Sequence, residues 1–119
     1  MSSEVPPWLQ EQLARYDQLQ QSLQAILTQK QQVEAELAEI EKALEELRKA
    51  PSDTTVYKFA GTIMLKADRE SLLKELEEKR ELANTRIMVL KKQEDRIRSN
   101  LQELQNKINE AIKSRQGAS

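Results

Sequence analysis

Apolar residues recur along this chain at alternating spacings of three and four, unbroken through two long stretches. That periodicity leaves few folds open. The first seam is Tyr16, Leu19, Leu23, Ile26, Lys30, Val33, Leu37, Ile40, Leu44 and Leu47. The second is Leu73, Leu76, Arg80, Ala83, Ile87, Leu90, Glu94, Ile97, Leu101, Leu104, Ile108 and Ala111. A three-four alternation is the heptad signature of supercoiled helices. Pro6-Pro7 suits a helix start, where a missing N–H costs nothing, so the first helix is predicted over about 6–48. Ahead of Tyr16, Leu9 and Leu13 fall one step out of phase, which predicts a local stutter. The second helix is predicted over about 68–115, with Asp68 as its cap and Ser71 as the second candidate. Gln116-Gly117-Ala118-Ser119 should end it, with Gly117 as C-cap.

The two seams fit each other if the chain folds back. Leu47 then meets Leu73, Leu37 meets Ala83, Val33 meets Ile87, Leu23 meets Ile97 and Leu19 meets Leu101. Every such pair sets an a-type against a d-type position, as an antiparallel hairpin requires. Arms of about 40 residues would be on the order of 60 Å long at 1.5 Å per residue. The fold class is therefore mainly α, a long antiparallel two-helix coiled coil. Lys30 and Glu94 interrupt the seams with charge and lie within reach of each other in this register. They either pin the register, as polar seam residues do, or snorkel to solvent along their stems.

Between the helices the period changes. Pro51 pushes the residue before it out of the α region, and β-formers replace helix formers from Thr55 to Lys66. Residues 55–59 and 62–66 read as two strands around a tight turn near Ala60-Gly61, in a β-hairpin spanning about 54–67. Its apolar set, Val56, Tyr57, Phe59, Ile63, Met64 and Leu65, occupies both faces. A lone two-stranded hairpin is marginal in water and leaves edge groups unpaired. It must either pair with other hairpins, closing into a barrel, or pack on the base of its own coiled coil. At the opposite end, Val5, Trp8, Leu9 and Leu13 open the first helix beside Ile108, Ala111 and Ile112 at the close of the second. Trp8 reads as an end staple, as an exposed apolar grip for another chain, or as both.

Composition narrows function. Of 119 residues, 33% are charged, with only two Gly and three Pro, as long helices and coiled coils require. A net charge of −1 from interleaved signs gives no basic surface for nucleic acid. No apolar run approaches the roughly 20 residues that span a bilayer, so no membrane contact is expected. Met1-Ser2-Ser3-Glu4 shows no signal-peptide pattern. With no Cys and no His, disulfides, thiolate chemistry and the commonest general base and metal ligand are missing. Glu34, Glu36, Glu39 and Glu41 line a helix edge without a pocket, and Asp53-Thr54-Thr55 matches no nucleotide motif. No enzyme, catalytic residue, metal or cofactor is expected. The competing non-enzymatic reading is a coiled-coil tether or adaptor for one folded partner.

The stretch Val56-Tyr57-Lys58-Phe59-Ala60-Gly61-Thr62-Ile63-Met64-Leu65 is similar to the strand-turn-strand element of prefoldins. Gln18-Leu19-Gln20-Gln21 and Lys42-Ala43-Leu44-Glu45-Glu46-Leu47 also look like that family. With room for one hairpin, the chain resembles the archaeal β-type subunits, as a single domain over 1–119. The resemblance implies a hexamer of two α-type and four β-type subunits, joined by hairpins in a double β-barrel. It implies capture of unfolded client proteins at the coiled-coil tips without ATP and delivery to a group II chaperonin in the cytoplasm. Client contact would then fall to Val5, Trp8, Leu9, Leu13, Ile108, Ala111 and Ile112, and subunit assembly to Val56, Tyr57, Phe59, Ile63, Met64 and Leu65.

Overall fold

The computed structural model describes residues 5–117, so the readings of Met1–Glu4 and of Ala118-Ser119 lie outside the described residues. The elements are α1 (Pro7–Lys49), β1 (Val56–Ala60), β2 (Ile63–Ala67) and α2 (Arg69–Gly117). Both helices consist almost wholly of good helix formers, so propensity and pattern agree along their length. Pro7 holds the first helical position, and the Pro6 carbonyl accepts from the amides of Leu9 and Gln10 at 3.0 Å each. Arg48 and Lys49 in the last turn of α1 oppose the negative end of its dipole. Asp68 caps α2, its Oδ2 accepting from the Ser71 amide at 2.9 Å, and this bond holds the Asp68 carboxyl below its usual range. Gly117, expected as a cap, is instead the last residue of α2, because no residue between Arg69 and Gln116 breaks the helix.

The strands pair antiparallel, from Val56 opposite Ala67 to Ala60 opposite Ile63. The turn is therefore Gly61-Thr62, one residue later than the sequence suggested. Gly61 has φ of 64°, while no other residue among the described ones has positive φ. That is the pattern of a type II′ turn, whose first central position favours glycine and whose twist matches the strands it joins. The strands shift with it, from the expected 55–59 and 62–66 to 56–60 and 63–67.

The chain packs as two compact units, one joining Met1–Lys30 to Leu90–Ser119 and the other formed by Gln31–Val89. The core of the first is Leu9, Leu23, Leu90, Leu101, Leu104 and Ile108. Leu9 packs with Leu104 and Ile108, while Lys30 pairs with Glu94, so the helices run antiparallel within it. The second unit buries Val33, Leu44, Leu47 and Ala83. There Glu36 meets Arg86 and Arg48 meets Glu77, again antiparallel. Every residue of the two expected seams is buried or half-buried. Leu9 also lies in the core, 3% exposed, while Leu13 is exposed. Leu9 stands seven residues before Tyr16, one full heptad, so the seam continues to it in phase and the expected stutter is corrected at this position. No helix among the described residues is long and apolar enough to cross a membrane.

Candidate functional site

In the first unit, the cluster of Leu9, Leu104 and Ile108 is overlaid by half-buried Val5, Tyr16, Leu19 and Ala111. Gln10 Nε2 donates to the Val5 carbonyl at 2.9 Å, tying the segment before α1 back onto its first turn. The seven apolar residues singled out at this end thus divide by burial. Leu9 and Ile108 are interior, and Val5 and Ala111 are partly covered. Trp8 (50%), Leu13 (43%) and Ile112 (42%) are exposed. Apolar surface rimmed by polar residues such as Glu11, Gln12 and Lys113 is a recurring mark of an interaction site.

The same unit holds the charged layer. Glu94 is only 5% exposed. Lys30 Nζ donates to its Oε1 at 2.7 Å and Arg98 Nε to its Oε2 at 2.8 Å, with Lys91 Nζ 4.0 Å away. These donors, Lys30 foremost, hold the Glu94 carboxyl at about 2 against the burial that would raise it. A two-helix seam is thin, so water remains near the group and screens it. Of the two readings of Lys30 and Glu94, the ion pair is the one formed, and partial burial leaves little room for the snorkelling alternative at Glu94.

A pH dependence follows with a definite sign. A carboxyl lowered from about 4.5 to about 2 on folding stabilises the fold fully above pH 4.5 and loses that contribution as pH falls through 2. The melting temperature gap between the native chain and Glu94→Gln should therefore be widest near pH 7 and shrink between pH 4.5 and 2. Thermal melts followed by circular dichroism test this, and a gap that stays constant across that range would refute it.

In the second unit, the hairpin exposes both faces. Side-chain alternation and register place Tyr57, Phe59, Met64 and Lys66 on one face and Val56, Lys58, Leu65 and Ile63 on the other. Phe59 is 75% exposed, and Tyr57, Ile63, Met64 and Leu65 are about half exposed; only Val56 and Ala67, nearest the helices, are half-buried. The chain's own helices do not cover the hairpin, and with only two strands each one keeps an unpaired edge.

Sequence reasoning missed two features. Arg69 Nη2 donates to the Leu47 carbonyl at 2.9 Å, satisfying one of the orphan carbonyls at the end of α1. A lone Arg at a helix start carries no signal for such a cross-element cap. Leu82, Met88 and Val89 are exposed on α2 outside the seam, a departure from the three-four pattern that could have been noticed. No group of three or more His, Cys, Asp or Glu residues that could hold a metal occurs among the described residues.

Two long helices, antiparallel within each unit, and a two-stranded β-hairpin with exposed apolar faces define a coiled-coil chain with a β-hairpin between its helices. The profile of the family described as "Prefoldin subunit" matches residues 10–115. The chain is 41% identical over 94% of its length to prefoldin subunit beta of Sulfurisphaera tokodaii, covering 90% of that protein. It is 44% identical over 96% to prefoldin subunit beta of Archaeoglobus fulgidus, covering 98% of it. The crystal structure of the prefoldin beta subunit from Thermococcus strain KS-1 superposes with a TM-score of 0.85 at 38% identity, over 91% of this chain and 95% of that one. The chain belongs to the prefoldin family, with its similarity to the beta subunits extending over nearly its whole length. It is a chaperone subunit rather than an enzyme, and membership implies assembly with other prefoldin subunits.

Proposed function

We propose that this chain is a β-type subunit of a cytoplasmic, ATP-independent holdase. Four copies join two α-type subunits through their hairpins, capture non-native proteins at the coiled-coil ends, and pass them to a group II chaperonin. The observation that carries the client site is the exposed trio Trp8, Leu13 and Ile112 around a packed end cluster. The interior Leu9 and Ile108 hold that surface in shape, with Val5 and Ala111 at its margin. Each trio contributes little area, and at about 25 cal/mol per Å² a single end binds weakly. Several ends on one client raise the effective affinity through local concentration, so the hold is firm but reversible. The uncovered hairpin supports the assembly half of the proposal, with Val56, Tyr57, Phe59, Ile63, Met64 and Leu65 as its contacts.

A denatured protein diluted into buffer without ATP, with this chain alone and with an α-type prefoldin subunit, tests the reading. Light scattering after size exclusion reports assembly on the same samples. Suppression of aggregation should appear with a complex of about six subunits. The triple variant Trp8→Ser, Leu13→Ser, Ile112→Ser should assemble and melt like the native chain yet lose most of the suppression, since all three side chains are exposed. Assembly without any suppression by the native chain would reject the holdase and favour an adaptor for one folded partner.

A further inference from the structure

The two ends of the hairpin are joined to the helices unequally. Between β2 and α2 stands a single residue, Asp68. Its Oδ2 accepts from the Ser71 amide and its carbonyl from the Leu72 amide, both at 2.9 Å. With the connection so short and both acceptors occupied, β2 and the first turn of α2 move together. Between α1 and β1 run residues 50–55, turning through a bond of 3.0 Å from the Thr54 amide to the Pro51 carbonyl. That longer connection leaves more angles open.

Packing does not close them. A groove of about 310 Å³ lies where the end of α1 approaches the hairpin, bounded by Ala43 and Leu47, by Tyr57 of β1 and by Leu72 of α2. The ion pairs nearby are exposed and contribute little. Arg48 meets Glu77 at 3.0 Å, and Lys58 meets Glu75 at 3.6 Å, the latter tying the hairpin to α2 rather than to α1. Arg69 supplies a firmer tie. It is the first residue of α2, yet its Nη2 reaches back to the Leu47 carbonyl at 2.9 Å and the Ala50 carbonyl at 3.4 Å. These groups close α1, where the negative end of the helix dipole favours a cation. The Arg69 side chain is 23% exposed, and its Nε is buried without an acceptor. A donor left unmet out of water is a cost, so the guanidinium is held in place by its Nη2 contacts against the alternative of swinging out to solvent.

We propose that Arg69 is the positioning residue that latches the end of α1 to the joint between the hairpin and α2, so that the hairpin keeps one setting on both helices of the second unit. Without the latch, the hairpin and the first turn of α2 turn as one body against the last turn of α1. The consequence for a complex rests on the reading of the hairpin as the assembly element: the latch then sets the direction in which α1 leaves the joined strands. The latch itself is a property of the single chain.

The chain contains no cysteine, so paired engineered thiols carry spin labels at chosen places. Thr62→Cys with Lys42→Cys spans the hairpin and α1, and Thr62→Cys with Glu78→Cys spans the hairpin and α2; all three positions are exposed. The labelled full chain, diluted into unlabelled chain, is measured by pulsed dipolar spectroscopy. Arg69→Ala should broaden the hairpin–α1 distance distribution and leave the hairpin–α2 distribution at its native width. Arg69→Lys, which keeps one cationic nitrogen, should restore the native width. Amide exchange gives the size of the effect. The Ala50 amide, bonded to the Glu46 carbonyl beside the latch, should exchange about tenfold faster in Arg69→Ala, as expected for losing one hydrogen bond from a charged donor. An unchanged hairpin–α1 distribution in Arg69→Ala, or equal broadening of both distances, overturns the proposal. Normal assembly by Phe59→Asp would remove the assembly reading without altering these single-chain distances, so the two failures are told apart.

Discussion

Leu44→Ala is expected to cost about 3 kcal/mol of stability, within the span of roughly 2–5 kcal/mol for buried leucine truncations. Leu44 is 1% exposed, among the most fully buried large side chains in the molecule. A two-helix seam has a single layer of apolar contacts, so no second shell can collapse into the space left behind. Leu82→Ala supplies the contrast, because Leu82 is exposed on the same unit and its truncation should change stability by less than about 0.5 kcal/mol. Urea unfolding of both variants, followed by helical circular dichroism, separates them. Equal midpoints would mean that the seam does not carry the stability of its unit.

Charging the hairpin should have a comparably large effect on assembly and almost none on the isolated fold. Phe59→Asp and Leu65→Asp place a carboxylate on opposite faces of the ladder. Both positions are exposed within the chain, so helical content and melting temperature should stay near the native values. In a complex that buries both faces, each variant forces an unpaired charge out of water, which costs several kcal/mol. The half-dissociation concentration should rise at least about 100-fold for either variant, equivalent to about 2.8 kcal/mol. Light scattering across a dilution series reads this. Normal assembly by Leu65→Asp would show that its face stays wet and confine the interface to the Phe59 side.

Much of the architecture was readable from residue order. The seam residues from Tyr16 to Leu47 and from Leu73 to Ala111 are buried or half-buried as the period required. Asp68 caps α2, and Lys30 reaches Glu94. The hairpin turn was placed one residue early because Ala60-Gly61 and Gly61-Thr62 both contain the permissive glycine, and only strand pairing decides which of its neighbours joins the turn. Arg69 escaped notice because its partner carbonyl lies 22 residues away on another element.

The candidate site was readable in composition but not in detail. The apolar residues near the chain ends and in the hairpin singled out both candidate surfaces, and part of each set is exposed. Leu9 and Ile108 continue the heptad phase of the two seams, Leu9 one heptad before Tyr16, so their burial was readable from the period, whereas how far their neighbours are covered depends on where one helix meets the other. Leu9 becomes core because Leu104 and Ile108 cover it, while its neighbour Trp8 remains half exposed. Helix, turn and breaker preferences are local, and residue order was enough to establish two helices and a hairpin. Burial is a property of pairs of elements, and it was their packing that separated interior from exposed side chains in the first unit and left the hairpin open in the second.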